Sequence, residues 1–188
     1  MASISAFAGC VPVAPVHEAA RALPVDDLAA VAMTIWPGEA TALADALRSG
    51  AGLELPEAGR WTHADSLVAI RLGPDHFLLQ RDGPANLMQQ IAPIVGDHAA
   101  LIDLTDARAT LRLAGPAARE ILAALLPIDL HRRAFAPGRA ATTLAAHLTV
   151  QLRQLDTTPT YDLSVSRSFA GSLWRALELA GSGRLRLG

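Results

Sequence analysis

The 188-residue chain has no lysine: all 16 of its basic side chains are arginine. That excludes a lysine Schiff base and a Walker-type phosphate loop, each of which needs an ammonium group. Cysteine is nearly absent too. The single Cys10 rules out a disulfide framework and a cysteine-based metal site. Sixteen basic residues against 18 acidic give a formal charge of −2, so no concentrated positive field is available for nucleic acid. Long apolar runs are missing: residues 28–36 form the longest, interrupted by Thr34 and far below the roughly 20 that span a bilayer. Ala6 to Cys10 superficially match a lipoprotein cleavage box. No basic segment precedes them, however, and nine residues cannot hold an apolar signal core. The expectation is a cytoplasmic protein in a reducing compartment, with no membrane or nucleic-acid partner.

What is present is a globular composition, 51% hydrophobic and 18% charged, which excludes a disordered chain. Residues 1–24 carry Pro12, Pro15 and Pro24 without usable periodicity and read as an extended arm. Its Ala/Pro/Val-rich leader makes Cys10 irregular or partner-bound rather than a reactive thiol. Residues 25–182 read as one domain of two related halves, about 25–97 and 98–182. A strand over 28–36 precedes a helix with Ala40, Leu43, Ala44 and Leu47 on one face, closed at Ser49-Gly50. A Pro/Gly-rich loop over 51–62 follows, placed to border a surface crevice. Then come a hairpin of 67–72 with 76–80 and a helix carrying Leu87, Met88 and Ile91. Residues 99–104 and 109–113 read as a second strand pair.

Gly115-Pro116 opens a helix with Ile121, Leu122, Leu125 and Leu126 as its buried stripe, proline taking the first helical position. After a loop over 127–139, strands are expected at 142–146, 148–155 and around Tyr161, Leu163 and Val165. Ser168 suits the N-cap of a last helix with Phe169, Leu173 and Leu177 in one row, closed by Gly181. The order βα-ββα, ββα-βββα predicts an α+β fold, with helices packed on mainly antiparallel sheets.

Few constellations carry chemistry. The six histidines are scattered, no two of them three or four residues apart, so no helix offers a paired metal face. Asp103 and Asp106 flank Leu104-Thr105 at what reads as a hairpin turn, where aspartate accepts backbone N–H bonds. Arginine is the denser signal. His131, Arg132, Arg133, Phe135 and Arg139 crowd one loop, and Arg167 precedes the last helix. Guanidinium forks bind carboxylates and phosphates, and arginine with aromatics anchors interfaces. These six residues are therefore candidates for a partner interface or for anion contacts. A solvated loop is the competing reading.

Several strings carry a resemblance. They are Asp103-Leu104-Thr105, then Arg108 to Arg119 with its Gly115-Pro116, and Asp129-Leu130-His131. Ala134-Phe135-Ala136-Pro137-Gly138 and Arg167-Ser168-Phe169-Ala170 complete the set. Together they resemble the sarcosine oxidase gamma-subunit family, within the folate-binding domains that include the aminomethyltransferase of the glycine cleavage system. The resemblance implies a duplicated folate-binding-domain-like fold and alpha, beta and delta partner subunits. It implies FAD, FMN, NAD and tetrahydrofolate for the complex, with none bound by this chain alone. Such a complex demethylates sarcosine oxidatively to glycine and passes the one-carbon unit to tetrahydrofolate. In the aminomethyltransferases an acidic pair stands just before the strand equivalent to 148–153, and one of its acids meets the folate amine. This chain has Ala146-His147 there. The implied role is an accessory subunit without catalytic residues of its own.

Two other readings stay open: a free-standing folate- or anion-binding module, and the equivalent subunit of a related N-methyl amino-acid oxidase or dehydrogenase. On the accessory reading, loop 127–139 and the leader with Phe7, Val11, Val13 and Val16 are expected to face a partner. An isolated chain would then self-associate through the same surface.

Overall fold

A computed structural model describes residues 5–8, 16–83 and 86–183. The fold is α+β, built on two five-stranded sheets whose strand pairs are all antiparallel. The chain divides into two compact units, one of residues 27–106 and one of residues 1–26 with 107–188.

The 27–106 unit runs β2 (Leu28–Ile35), α1 (Ala40–Ala51), β3 (Trp61–Ala64), β4 (Leu67–Arg71), β5 (His76–Asp82), α2 (Leu87–Val95) and β6 (Ala99–Asp103). The other unit takes β1 (Arg21–Pro24) and then β7 (Arg108–Ala114), α3 (Ala118–Leu125), β8 (Ala140–Ala145), β9 (Leu148–Asp156), β10 (Thr160–Ser166) and α4 (Ala170–Gly181). The sheet orders are β6-β2-β5-β4-β3 and β1-β7-β10-β9-β8. Read position by position, these are one topology used twice. Each repeat is a lone strand followed by βαβββα, and each sheet borrows its lone edge strand from the other repeat. Chain halves and spatial units therefore differ by one exchanged strand.

Alternation places Val31, Met33 and Ile35 under α1 and α2, with Leu43, Leu47, Ile91 and Val95 closing that core. In the second unit Leu111, Leu113, Leu163 and Val165 play the same part beneath Ile121, Leu122, Leu125, Leu173, Trp174 and Leu177. The predicted stripe of α3 is buried, Leu126 included.

Several expectations are corrected. Residues 99–104 and 109–113 do not pair: β6 lies on β2, while β7 lies between β1 and β10. The Leu104 N–H donates to the Ala30 carbonyl at 2.8 Å and the Ala30 N–H to the Thr105 hydroxyl at 3.2 Å, tying the end of β6 to β2. Asp103 does accept a backbone N–H, from Thr105 at 2.9 Å, though in a crossing between sheets rather than a hairpin. Helix α1 ends at Gly52, whose φ of 63° is the left-handed cap. Gly50 instead stays helical, and its missing side chain makes room for Ile94, whose Cγ2 would lie 2.9 Å from a Cβ there.

Pro116 sits in the turn before α3, which starts at Ala118. Residues 167–169 form a 3-10 turn, so Ser168 is not the cap of α4, and Phe169 is 46% exposed rather than in the buried row. Strands β1 and β3 fall in the regions read as arm and loop. Within the leader, Phe7 and Val16 are packed into the core of their unit, while Val11, Val13 and Cys10 lie outside the described residues. Residues 16–20 run across two glycines of that unit. A Cβ on Gly115 would stand 2.5 Å from the Ala19 carbonyl oxygen, and one on Gly181 2.4 Å from that of Val16.

Candidate functional site

Loop 127–139 is built by its own side chains. Asp129 accepts the His131 N–H at 2.8 Å, the His131 imidazole accepts the Arg133 N–H at 3.2 Å, and the His131 carbonyl accepts those of Ala134 and Phe135. Leu130 and Phe135 point inward, 3% and 5% exposed. From below, the Arg119 guanidinium at the start of α3 donates to the carbonyls of Leu130 and Phe135 and lies over the Tyr161 ring at 5.7 Å. The Asp-Leu-His and Ala-Phe-x-Pro-Gly strings thus act first as loop architecture. A staple, a plug and a half-buried cation hold the turn.

The six predicted residues separate on this loop. His131, Arg132 and Arg133 are exposed, Arg139 is half-buried beside the Gly138–Gln154 backbone bond, and Arg167 is half-buried in the 3-10 turn before α4. Phe135 is the correction among them. It belongs to the core of its unit, so its aromatic area is spent on folding and not presented outward.

Sequence reasoning missed a charged group on the same unit's sheet. Arg112, Asp162 and Arg153 are directly opposite one another on β7, β10 and β9. Asp162, 3% exposed, accepts from Arg112 Nε at 2.8 Å and Nη2 at 3.0 Å, and from Arg153 Nη2 at 2.7 Å and Nε at 3.1 Å. A carboxylate held between two guanidinium forks is fully committed to them. One row along, Arg108 donates to the Ser164 hydroxyl at 3.2 Å and has no carboxylate partner among the described residues. Burial alone pushes its guanidinium below the ordinary arginine pKa. The available signal was the alternation itself. Arg108, Arg112, Arg153 and Asp162 all stand at positions that alternate with the apolar row, a pattern that reads as solvent-facing until the register is known.

The 27–106 unit has a crevice of about 180 Å³, with Leu55, Pro56 and Glu57 from the predicted loop on one side and Ile35, Arg71 and Phe77 among its other walls. Arg71 donates to the carbonyls of Pro56, Gly73 and Pro74 and lies 5.4 Å over the Phe77 ring, so it braces the crevice rather than reaching into solvent. Among the described residues no three His, Cys, Asp or Glu side chains converge, and no helix is long and apolar enough to cross a membrane.

Against known proteins, the family model "Sarcosine oxidase, gamma subunit family" matches residues 37–183. The chain belongs to the sarcosine oxidase gamma subunit family. It is 38% identical over 120 residues to the sarcosine oxidase subunit gamma of Arthrobacter sp., covering 62% of this chain and 58% of that one. It is 36% identical over 110 residues to that of Corynebacterium sp. (strain U-96), covering 57% and 54%. The matched stretch thus spans little more than half the length of these gamma-subunit relatives. A chain of the heterotetrameric sarcosine oxidase of Corynebacterium sp. U-96, solved in complex with pyrrole 2-carboxylate, superposes with a TM-score of 0.83 at 25% identity, covering 100% of this chain and 99% of that one. The glycine cleavage system aminomethyltransferase T of Bartonella henselae shares the fold, with a TM-score of 0.63 at 17% identity over 91% of this chain and 48% of the other.

Membership makes the folate question concrete. Ala146 and His147 form the two-residue turn between β8 and β9, with φ of 46° and 71°. Both lie in the left-handed region, as a type I′ hairpin turn requires. The place where the resemblance expects a carboxylate thus holds a methyl group and an imidazole on a tight turn. These residues do not fit the folate amine as an acid would.

Proposed function

We propose that this chain is a non-catalytic accessory subunit of a sarcosine oxidase-like complex. Its partners are alpha, beta and delta subunits; the alpha and beta subunits carry FAD, FMN and NAD, and tetrahydrofolate is used by the complex. Sarcosine is oxidised at its N-methyl group, its two electrons pass through flavin to dioxygen, which becomes hydrogen peroxide, and the one-carbon unit passes to tetrahydrofolate. The observation that carries this reading is the superposition, over the full length of both, on a chain of the heterotetrameric enzyme. Two features of the chain support it. The deepest carboxylate, Asp162, is engaged by four hydrogen bonds from two arginines, a structural rather than a reactive setting. The turn at Ala146-His147 offers no acid to a folate amine.

In this role the exposed Arg132 and Arg133, on a loop stiffened by Arg119, are donors toward a partner. The test is co-expression with alpha, beta and delta chains, with and without this one. The expected outcome is a flavin-bearing heterotetramer only when this chain is present, and a colourless isolated chain that releases no peroxide from sarcosine. Tetrahydrofolate binding by the isolated chain at about 1 µM or tighter, roughly −8 kcal/mol, would overturn the reading in favour of a free-standing folate module.

A further inference from the structure

The surface left over by this account is the start of β7 and the end of β10. Arg108 and Ser166 face each other there in register, and the chain continues from Ser166 into the 3-10 turn Arg167–Phe169, which packs against β7. Two features of this corner run against folding economy. Arg108 is half-buried, and a hydroxyl is a poor counter-group for a guanidinium that has given up most of its water. Two rows along the same face, Arg112 and Arg153 have Asp162; among the described residues Arg108 has Ser164 alone. Three residues beyond Ser166, the Phe169 ring leaves 46% of its surface in water. A half-buried guanidinium with no carboxylate partner among the described residues, on a strand against which the turn bearing an exposed aromatic packs, is costly for a lone domain. It is also the composition of an interface anchor, where Arg and aromatics desolvate together.

The geometry points to Arg108 and Phe169 as a docking corner for a partner subunit that inserts an Asp or Glu carboxylate onto Arg108 and lays an apolar side chain on Phe169. The occupant is a protein segment of acidic-apolar character because the guanidinium supplies the charge to be matched and the ring the area to be covered. This inference rests on the accessory-subunit reading. It differs from the 127–139 loop in location and in chemistry, being one half-buried cation with an aromatic instead of two exposed cations.

The experiment measures affinity of the purified chain for the purified partner subunits by sedimentation velocity, together with the melting temperature of the chain alone. Arg108→Met should weaken assembly at least tenfold, equivalent to about 1.4 kcal/mol. It should leave the melting temperature of the free chain unchanged or higher, because an uncompensated guanidinium is exchanged for an apolar side chain. Phe169→Ser, at a half-exposed position, should weaken assembly at least tenfold with the free chain equally well folded. Affinity within twofold of wild type for either variant overturns the proposal while leaving the accessory reading standing. A free chain that melts lower or fails to fold as Arg108→Met also overturns it, since Arg108 would then be structural. Wild-type chain that does not assemble with the partners at all overturns both.

Discussion

The two repeats are alike on one face of their sheets and opposite on the other. Beneath the helices both bury aliphatic rows, Val31, Met33 and Ile35 in one and Leu111, Leu113 and Val165 in the other. On the second face the 27–106 unit puts Ala30, Ile70 and Leu78, all at most 4% exposed, with Gln80 as the buried polar side chain among its described residues. The other unit puts Thr110, Arg112, Arg153, Asp162 and Ser164 there. The equivalence can be drawn residue by residue. Ile35 and Leu113 stand in the second strand of each repeat, each five residues before the first residue of its helix, Ala40 or Ala118. Thr34 then matches Arg112, and their register partners His76 and Asp162 match each other. One repeat keeps a Thr34–His76 hydrogen bond of 3.0 Å on its rim, and the other has a buried ion triad. A duplicated topology needs only its helix-covered core to be apolar; the second face is free to diverge, and here it has.

The sharpest way to break this comparison is to remove the carboxylate. Asp162→Asn leaves Arg112 and Arg153 facing a neutral amide, and stripping one partner from a buried ionic group costs about 3–5 kcal/mol. His76→Ala at the matching place should cost below about 1 kcal/mol, since it removes one exposed hydrogen bond. Urea unfolding of the two variants beside wild type measures both. Equal losses would mean that the triad is not the energetic difference between the repeats.

What could be read from the residues, and what could not, divides along the same line. The stripe Ile121, Leu122, Leu125 and the alternation of Leu111 with Arg112 follow from local periodicity, and the structure has them in place. Strand partners are not local. Nothing in residues 99–113 says that β6 belongs to one sheet and β7 to another, so proximity in sequence is no guide to pairing. Strand β3 was hidden because Trp61–Ala64 follows directly on a Pro- and Gly-rich stretch, and β1 because it ends on Pro24. The same limit governs the candidate site. Arg132 and Arg133 were legible as exposed donors, yet Phe135 between the same turns is the plug, because a hydrophobic residue in a loop reads alike whether it faces a partner or its own core. The ion triad required register across three strands before its charges could be seen to meet.

A smaller effect tests the two hairpin turns against each other. Asp65-Ser66 and Ala146-His147 are both two-residue loops, joining β3 to β4 and β8 to β9. In the first only Asp65 has positive φ, at 50°, and aspartate tolerates the left-handed region; in the second alanine and histidine both sit there. Ala146→Asn with His147→Gly supplies the residues that a type I′ turn favours. It should stabilise the chain by roughly 1 kcal/mol, or about 2–4 °C in melting temperature for a chain of this size. Scanning calorimetry decides it, and a lower melting temperature would show that the turn is not strained.

The smallest effect concerns the one tyrosine. Tyr161 lies in the core of the unit that holds the ion triad, its hydroxyl buried with no hydrogen-bond partner among the described residues, and its counterpart repeat has no tyrosine at all. Burial raises its pKa above the ordinary phenol value, with the Arg119 guanidinium opposing more weakly. The sign follows from linkage. A folded-state pKa above the unfolded one means that the folded chain holds the proton longer. Stability from this group is therefore complete below about pH 10 and falls as pH rises from there through the raised folded value. With no lysine in the chain, no ammonium titrates in that window, so the loss belongs largely to this side chain. Tyr161→Phe removes an unsatisfied hydroxyl, so at pH 7 it should be neutral or stabilising by up to about 1 kcal/mol. It should also flatten the decline above pH 10. Urea midpoints from pH 7 to 11 for both proteins measure this. An unchanged alkaline slope would mean that Tyr161 ionises as freely folded as unfolded, and that this core is wetter than its packing indicates.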